Sequence, residues 1–399
     1  MDTIITKTDI QPLAEAIQNG ELVAVPTETV YGLAANAMNE SAVQQIYDIK
    51  GRPEVKPLSI MISGPEDMDR YATDIPDAAR KMARQFWPGP LTIVLKSSQD
   101  IPEIVRAGGE TIGLRCPNNK KTLELIRTSG VPLAAPSANP SGEESPKTAE
   151  AVKGYFDGHI AGILDDGECE LGVESTIIDM SKMPYQILRE GALTQDVIED
   201  LLLEDLTIVG ITGNTGSGKT TALEVLDGMG AGIIDCDKLY HEMLESDYTM
   251  ISDIQEFFPE TVQDFKVDRK KLGEIVFSDE QSLLTLNAIT HRHIGRQVRK
   301  QLRQFAMAGR AIAAVDAIAL IESRIAEECD VVVGVIADPD IRVQRIIQRD
   351  GISEDRAWMR IKAQKPEDYF RENCDYILEN NGSENEFKEQ CEELFAEVI

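Results

Sequence analysis

Leu206-Thr207-Ile208-Val209-Gly210-Ile211-Thr212-Gly213-Asn214-Thr215-Gly216-Ser217-Gly218-Lys219-Thr220 is the stretch whose reading decides the fold. Its first seven residues are apolar or β-branched apart from one glycine, the composition of a buried strand. The last eight satisfy G-x-x-x-x-G-K-[ST], and a helical pattern over 218–229 follows. Glycines let a backbone fold around a phosphate with its amides turned inward, and the helix N-terminus adds its dipole. On this reading Gly213, Gly216 and Gly218 shape a phosphate loop, with Thr221 among the nucleotide contacts of the first helical turn. Lys219 bridges the β- and γ-phosphates of ATP, and Thr220 ligates Mg²⁺.

Outward from the loop, strand and helix patterns alternate. Strands read over 206–212, 232–235, 311–315 and 331–336, with helices over 218–229, through 237–308, from 339 and from 383. That order predicts a parallel sheet wrapped by helices. Ile233-Ile234-Asp235-Cys236-Asp237 places two carboxylates at the end of the second strand, where one can take a proton from an attacking hydroxyl or hold Mg²⁺. Asp237 reads also as a helix N-cap. Asp316, after Ala311–Val315, suits a metal-linked carboxylate. Arg342, Arg345 and Arg349 share one helical face, either as a lid over triphosphate or as a solvated face.

The chain has 399 residues, 42% hydrophobic and 27% charged, and a net charge of −29. Residues 1–205 carry −15 and residues 206–399 carry −14. Neither half offers the broad basic face that a nucleic-acid backbone requires, so small phosphorylated molecules are the expected ligands. No apolar stretch reaches the roughly 20 residues of a membrane span. The six cysteines are scattered without a CxxC pair, and Met1–Ile5 has no secretory pattern; both suit a reducing cytoplasm. An acidic segment over 196–205 reads as a short helix or linker between domains at 1–195 and 206–399.

The first half reads as mixed α/β. Strands are expected over 22–25, 58–62, 91–95, 111–114, 133–135, 163–164 and 175–178, and helices over 8–19, 41–49, 76–86, 120–129 and 147–157. Polar clusters lie between them: Pro26–Leu33 with its hydroxyls and a glycine turn, Lys50-Gly51-Arg52, Ser137-Ala138-Asn139 and Gly172–Thr176. Two cations and several hydroxyl and amide donors can orient a nucleotide triphosphate. Each cluster reads also as a turn or a helix cap.

Two resemblances extend these readings. Nearly all of 206–399 resembles the P-loop family of dephospho-coenzyme A kinase. The carriers are Gly210–Gly213 with its loop, Ile234–Asp237, Asp268–Phe277, His291 within Ile289–Ile294, Arg349–Ser353, Arg360–Gln364 and Asp375–Asn380. The resemblance implies a helical lid, phosphorylation of the ribose 3′-hydroxyl of dephospho-CoA, Asp237 as the base, Arg345 and Arg349 in the lid, and Asn380 near the adenine of ATP. Ala317–Glu322 departs from the family's proline-containing segment, and Arg292 stands where the family usually has proline.

Residues from about 4 to 194 resemble the Sua5/YciO/YrdC family, L-threonylcarbamoyladenylate synthase. The motifs are Pro26–Leu33, Lys50–Pro53, Phe86–Thr92, Gly113–Pro117, Ala135–Gly142, Gly172–Thr176 and Leu188–Gly191. The resemblance implies a YrdC-like α/β domain joining L-threonine, bicarbonate and ATP into threonylcarbamoyl-AMP for modification of adenosine 37 in tRNA. Lys50 and Arg52 are then the expected cations. Ser137, Asn139, Ser175 and Arg189 are nucleotide contacts, and Thr29 and Arg115 hold threonine or phosphate. Downstream transferase proteins of that modification are the implied partners. Alternatives stay open: another nucleoside-like acceptor for the second half, an RNA-binding or ribosome-maturation role for the first, or one half inactive. Separated halves are expected to keep their activities, without channelling.

Overall fold

The computed structural model describes residues 3–399, which divide into two compact units, 3–201 and 202–399. The chain passes from one to the other within the helix Gln195–Leu203. No helix among the described residues is long and apolar enough to cross a membrane.

The first unit is built on a mixed sheet of eleven strands, accompanied by helices. Along the sheet run Ile4–Thr6, Gly162–Leu164, Val23–Val25, Gly32–Asn36, Leu133–Ala134, Ser59–Met61, Thr111–Arg115, Leu91–Ser97, Thr176–Asp179 and Gln186–Arg189, with Ala72–Thr73 paired to Leu91–Ser97. Four strands are missing from the sequence reading: Ile4–Thr6, Gly32–Asn36, Ala72–Thr73 and Gln186–Arg189. Gly32 does not turn the chain: it opens the strand Gly32–Asn36, antiparallel to Val23–Val25. A Cβ there would stand 3.4 Å from the Met61 side chain and 3.6 Å from Ala135, so its lack of a side chain serves close sheet packing. Gln186–Arg189 escapes that reading because its alternate residues are exposed and its apolar pattern is too thin.

Helix Glu40–Lys50 shows how local chemistry sets up the first site. Asn39 caps it by accepting from the Ala42 amide, and Gly51, left-handed at φ +57°, stops it. Lys50 and Arg52 therefore flank the turn at a helix C-terminus, where the dipole favours cations.

The main sheet of the second unit has five strands, all parallel, in the order Gly232–Asp235, Ile312–Asp316, Thr207–Thr212, Val331–Ile336, Tyr376–Glu379, and a separate antiparallel pair joins Val262–Gln263 to Lys266–Val267. Alternate residues serve opposite faces. Ile208, Ala313 and Val315 join a core with the helices over 236–307, while Val209, Ile211, Ile312 and Ala314 join another with Ala222, Phe387 and Phe395. Burial on both faces explains the continuous apolar runs. The fifth strand escapes the sequence reading, being four residues ending in an acid, but its register beside Val331–Ile336 sets Asn380 next to the phosphate loop. Parallel pairing gathers every strand's C-terminal end on one edge, and Asp235 and Asp316 are direct register partners there.

Gly213 leaves the first strand at φ +146°, and a Cβ would fall 2.2 Å from the Val335 carbonyl oxygen. Gly213→Ala is expected to destabilise the second unit by roughly 1–3 kcal/mol or more. Urea unfolding followed by Trp358 fluorescence in a Trp87→Phe background measures it; an unchanged midpoint contradicts the account.

Candidate active sites

In the second unit the loop Gly213–Gly218 is held from outside by side chains gripping its carbonyls. Arg342 is buried and donates through Nε to the Thr215 carbonyl at 3.1 Å, and its Nη2 to Gln364 Oε1 at 2.5 Å. Gln364 in turn donates to the Thr215 hydroxyl at 2.8 Å. Arg345 reaches the carbonyls of Gly216 at 3.3 Å and Ser217 at 3.4 Å, and donates to Asn380 Oδ1 at 3.0 Å. Asn380, buried, donates to the Ser217 carbonyl at 2.9 Å. Gly218 is obligatory, because at φ +111° its Cβ would meet Asn380 Nδ2 at 2.0 Å.

The three arginines read as one stripe thus separate. Arg342 and Arg345 brace the loop, while Arg349 is exposed and donates to its neighbour Asp350 at 2.7 Å. Helices Pro339–Asp350 and Glu354–Lys362 pack on each other through their own small core of Val343, Ile346 and Ala357. They form a two-helix element that carries Arg345 and Arg349, the residues for which the resemblance implies a helical lid.

Inside the loop, Lys219 opens the helix Lys219–Gly228 and sets its ammonium 3.8 Å from Asp316 Oδ1. That oxygen and the Ser217 hydroxyl are buried without a hydrogen-bond partner. Burial pushes the Asp316 carboxyl up to about 6; Lys219 opposes the rise, and Asp235 and Asp237 add to it. Asp235, not Asp237, caps the helix Cys236–Ser246, accepting from the Lys238 amide at 2.9 Å. Asp237 is thereby left in the first turn, lining a cavity of about 420 Å³ with Tyr240, Leu272, Phe277, Leu286 and His291.

Thr220 is exposed and Thr221 half-buried in the first turn after the loop. Among the described residues no group of three or more His, Cys, Asp or Glu is gathered to hold a metal by itself. A hydroxyl at Thr220 and the unsatisfied Asp316 carboxylate fit Mg²⁺, which takes few protein oxygens and completes its shell with phosphates and water.

In the first unit a cavity of about 340 Å³ opens over the sheet, and of the expected residues Arg52, Arg115, Ser137, Ser175 and Arg189 line it. Thr29, Lys50 and Asn139 are buried behind that wall. The Lys50 ammonium donates to the carbonyls of Ser137 and Asn139, tying helix end to loop across 87 and 89 residues of sequence. Burial, with Arg52 adding, pulls the Lys50 ammonium down to about 8. Arg52 donates to the Pro57 carbonyl at 2.9 Å, and Asn139 donates to Glu143 O at 2.7 Å.

Arg115 donates to Glu28 at 2.7 Å and the Thr29 hydroxyl at 2.8 Å, all three buried. Its Nε and the Asn139 Oδ1 are buried without partners. Arg189 grips the Ser175 carbonyl at 2.8 Å and pairs with Glu174, and Ser175 shares a hydrogen bond of 3.0 Å with Thr92. Glu28, Glu174 and Gln364 carry no role in the sequence reading. All three stand inside quoted motifs, Pro26–Leu33, Gly172–Thr176 and Arg360–Gln364, and that placement was their available signal.

Comparison with known proteins follows the division into units. Residues 15–191 match the Sua5/YciO/YrdC family model, whose description reads Telomere recombination, and residues 207–386 match the family model described as Dephospho-CoA kinase. A threonylcarbamoyl-AMP synthase of Pyrococcus abyssi is 46% identical over 200 residues, half of this chain, which spans 59% of that relative's length. A provisionally named threonylcarbamoyl-AMP synthase of Methanocaldococcus jannaschii is 39% identical across 47% of this chain and 87% of its own. A dephospho-CoA kinase of Carboxydothermus hydrogenoformans is 31% identical across 46% of this chain and 91% of its own.

Asp316 gives a pH prediction. Its folded form holds a proton up to about pH 6, whereas an unfolded aspartate releases it near 3.8. The folded state therefore binds more protons between these values, and stability is lost as pH rises through about 6. Asp316→Asn should leave the ligand-free second unit more stable than wild type at pH 7.5 and nearly equal at pH 4. Melting curves at the two pH values check it.

Proposed function

The chain belongs to the Sua5/YciO/YrdC family through its first unit and to the dephospho-CoA kinase family through its second, and from that premise we propose that it is two ATP-using enzymes in one polypeptide. The first makes threonylcarbamoyl-AMP from L-threonine, bicarbonate and ATP, for modification of adenosine 37 in tRNA. The second phosphorylates the ribose 3′-hydroxyl of dephospho-CoA.

For the kinase, the observation that carries the reading is Asp237 at the mouth of an apolar cavity, beside a phosphate loop whose lysine faces Asp316. The acceptor's hydroxyl gives its proton to Asp237 as its oxygen attacks the γ-phosphorus. The bond to the β-phosphate oxygen breaks, and ADP leaves with the charge offset by Lys219. Mg²⁺, held by Thr220 with Asp316 nearby, would neutralise phosphate charge when bound. Arg345 and Asn380 act by holding the loop's shape, and Arg349 belongs to the lid that excludes water.

For the synthase, the supporting observation is a cavity lined by Arg52, Arg115 and Arg189 with three serines, Ser59, Ser137 and Ser175. No protein nucleophile is needed, because carboxylated threonine brings its own. Its carboxylate attacks the α-phosphorus, and the bond to pyrophosphate breaks. The arginines offset the departing charge. Lys50 works from behind, fixing Ser137 and Asn139 against the nucleotide, and Thr29 orients Arg115. The six free cysteines support a reducing cytoplasm as the setting, with the transferase proteins of the tRNA modification as downstream partners.

Nucleotide product analysis with Mg²⁺ and ATP tests the proposal. Threonine with bicarbonate should elicit pyrophosphate, and dephospho-CoA should elicit ADP. Lys50→Ala and Lys219→Ala should each lower only their own product, by about 100-fold or more. Salt-sensitive RNA retention without threonine-dependent pyrophosphate would overturn the synthase reading, and preference for another nucleoside would overturn the acceptor.

A further inference from the structure

The helix Glu280–Met307 carries Arg292, Arg296, Arg299, Lys300 and Arg303, spaced i, i+4, i+7, i+8 and i+11, so they share one face. With Arg324 they line a groove of about 570 Å³. The acids in its wall are Glu327 and Glu328, which pair with Arg324 and Arg299. Arg292 pairs with Asp253 outside the groove's wall. Arg296 turns its guanidinium to the His293 ring at 2.9 Å, and neither it nor Lys300 has a carboxylate partner among the described residues.

Residues 206–399 carry a net charge of −14, so this face is a local reversal of sign. Arg296 and Lys300, one turn apart, are like charges that repel, and an anion relieves the repulsion. The groove adjoins the Asp237 cavity: His291, Ser323 and Ile325 line both. No phosphate-loop residue lines either, so ATP does not account for the cations. A ligand filling both depressions has an apolar, nucleoside-sized part at Asp237 and an anionic part toward Arg296 and Lys300.

We propose that this groove binds the diphosphate of the phosphoryl acceptor, Arg296 and Lys300 serving as its cations while the nucleoside occupies the apolar cavity. The inference rests on the kinase reading above and adds to it a basis for specificity. A nucleoside lacking the diphosphate forfeits the charged half of the site, so the groove selects dephospho-CoA over bare nucleosides.

Steady-state kinetics on the full chain test it, with dephospho-CoA varied at saturating ATP. The Arg296→Ala, Lys300→Ala double variant should raise KM for dephospho-CoA about tenfold or more, as loss of charge-assisted contacts implies. The KM for ATP and kcat should hold within about twofold, as expected where binding alone is lost. Lys300→Glu, on an exposed helix position, should raise the same KM with an unchanged melting temperature. Calorimetric binding of adenosine should be equal in wild type and double variant, while that of dephospho-CoA weakens. An active wild type whose KM is untouched by either variant overturns the groove alone. RNA retention lost in the variants at constant KM likewise overturns it, assigning the face to a polyanion. A wild type inert toward dephospho-CoA overturns the kinase reading and this inference with it.

Discussion

Buried cations and amides gripping backbone carbonyls are the constraint on which both sites depend. A trans peptide points its carbonyl and its N–H in opposite directions, so whatever fixes the one aims the other. Arg342 on Thr215 O and Asn380 on Ser217 O therefore turn the amides of Gly216 and Gly218 away from the gripping side chains. In the first unit Lys50 does the corresponding work, with its ammonium on the carbonyls of Ser137 and Asn139. In each case a buried donor shapes a loop through its carbonyls. Burial is tolerable because each buried cation has carbonyl partners in place of water.

The same constraint divides cations into two kinds. Those in the wall of a cavity, such as Arg52 and Arg189, are on the proposed reading the ones that meet charge developing on a leaving group. Those that grip backbone, such as Lys50 and Arg342, set the shape of the loops they hold. Arg115 stands between the two: it lines the cavity, yet Glu28 and Thr29 fix it from the rear. Buried ion pairs of this sort contribute little net stability but lose heavily when one partner is removed. Their effect here is positional.

What the sequence made legible follows from how local each signal was. The phosphate loop was readable because its glycines, lysine and threonine are consecutive, and its requirements are backbone requirements. Asp235 and Asp316 were readable as strand-end carboxylates, although their pairing in register needed the sheet. Which of Asp235 and Asp237 caps the following helix depended on a single hydrogen bond. The strand Tyr376–Glu379 was too short to announce itself, so the tie between Asn380 and the loop, 163 residues away in sequence, had no local trace. The first unit was readable through resemblance more than through physics. Lys50, Ser137 and Asn139 are each unremarkable turn residues until the fold brings them together, and Gly32 looked like a turn because a glycine required by packing leaves the same mark.

The central claim is that one chain holds two separate nucleoside triphosphate sites of different design. Calorimetric titration with a non-hydrolysable ATP analogue and Mg²⁺ measures this most directly. Two equivalents should bind per chain; Lys219→Ala should remove one, and threonine with bicarbonate should tighten only the other. A single equivalent in the wild type, or two equivalents that Lys219→Ala weakens together, would contradict the account.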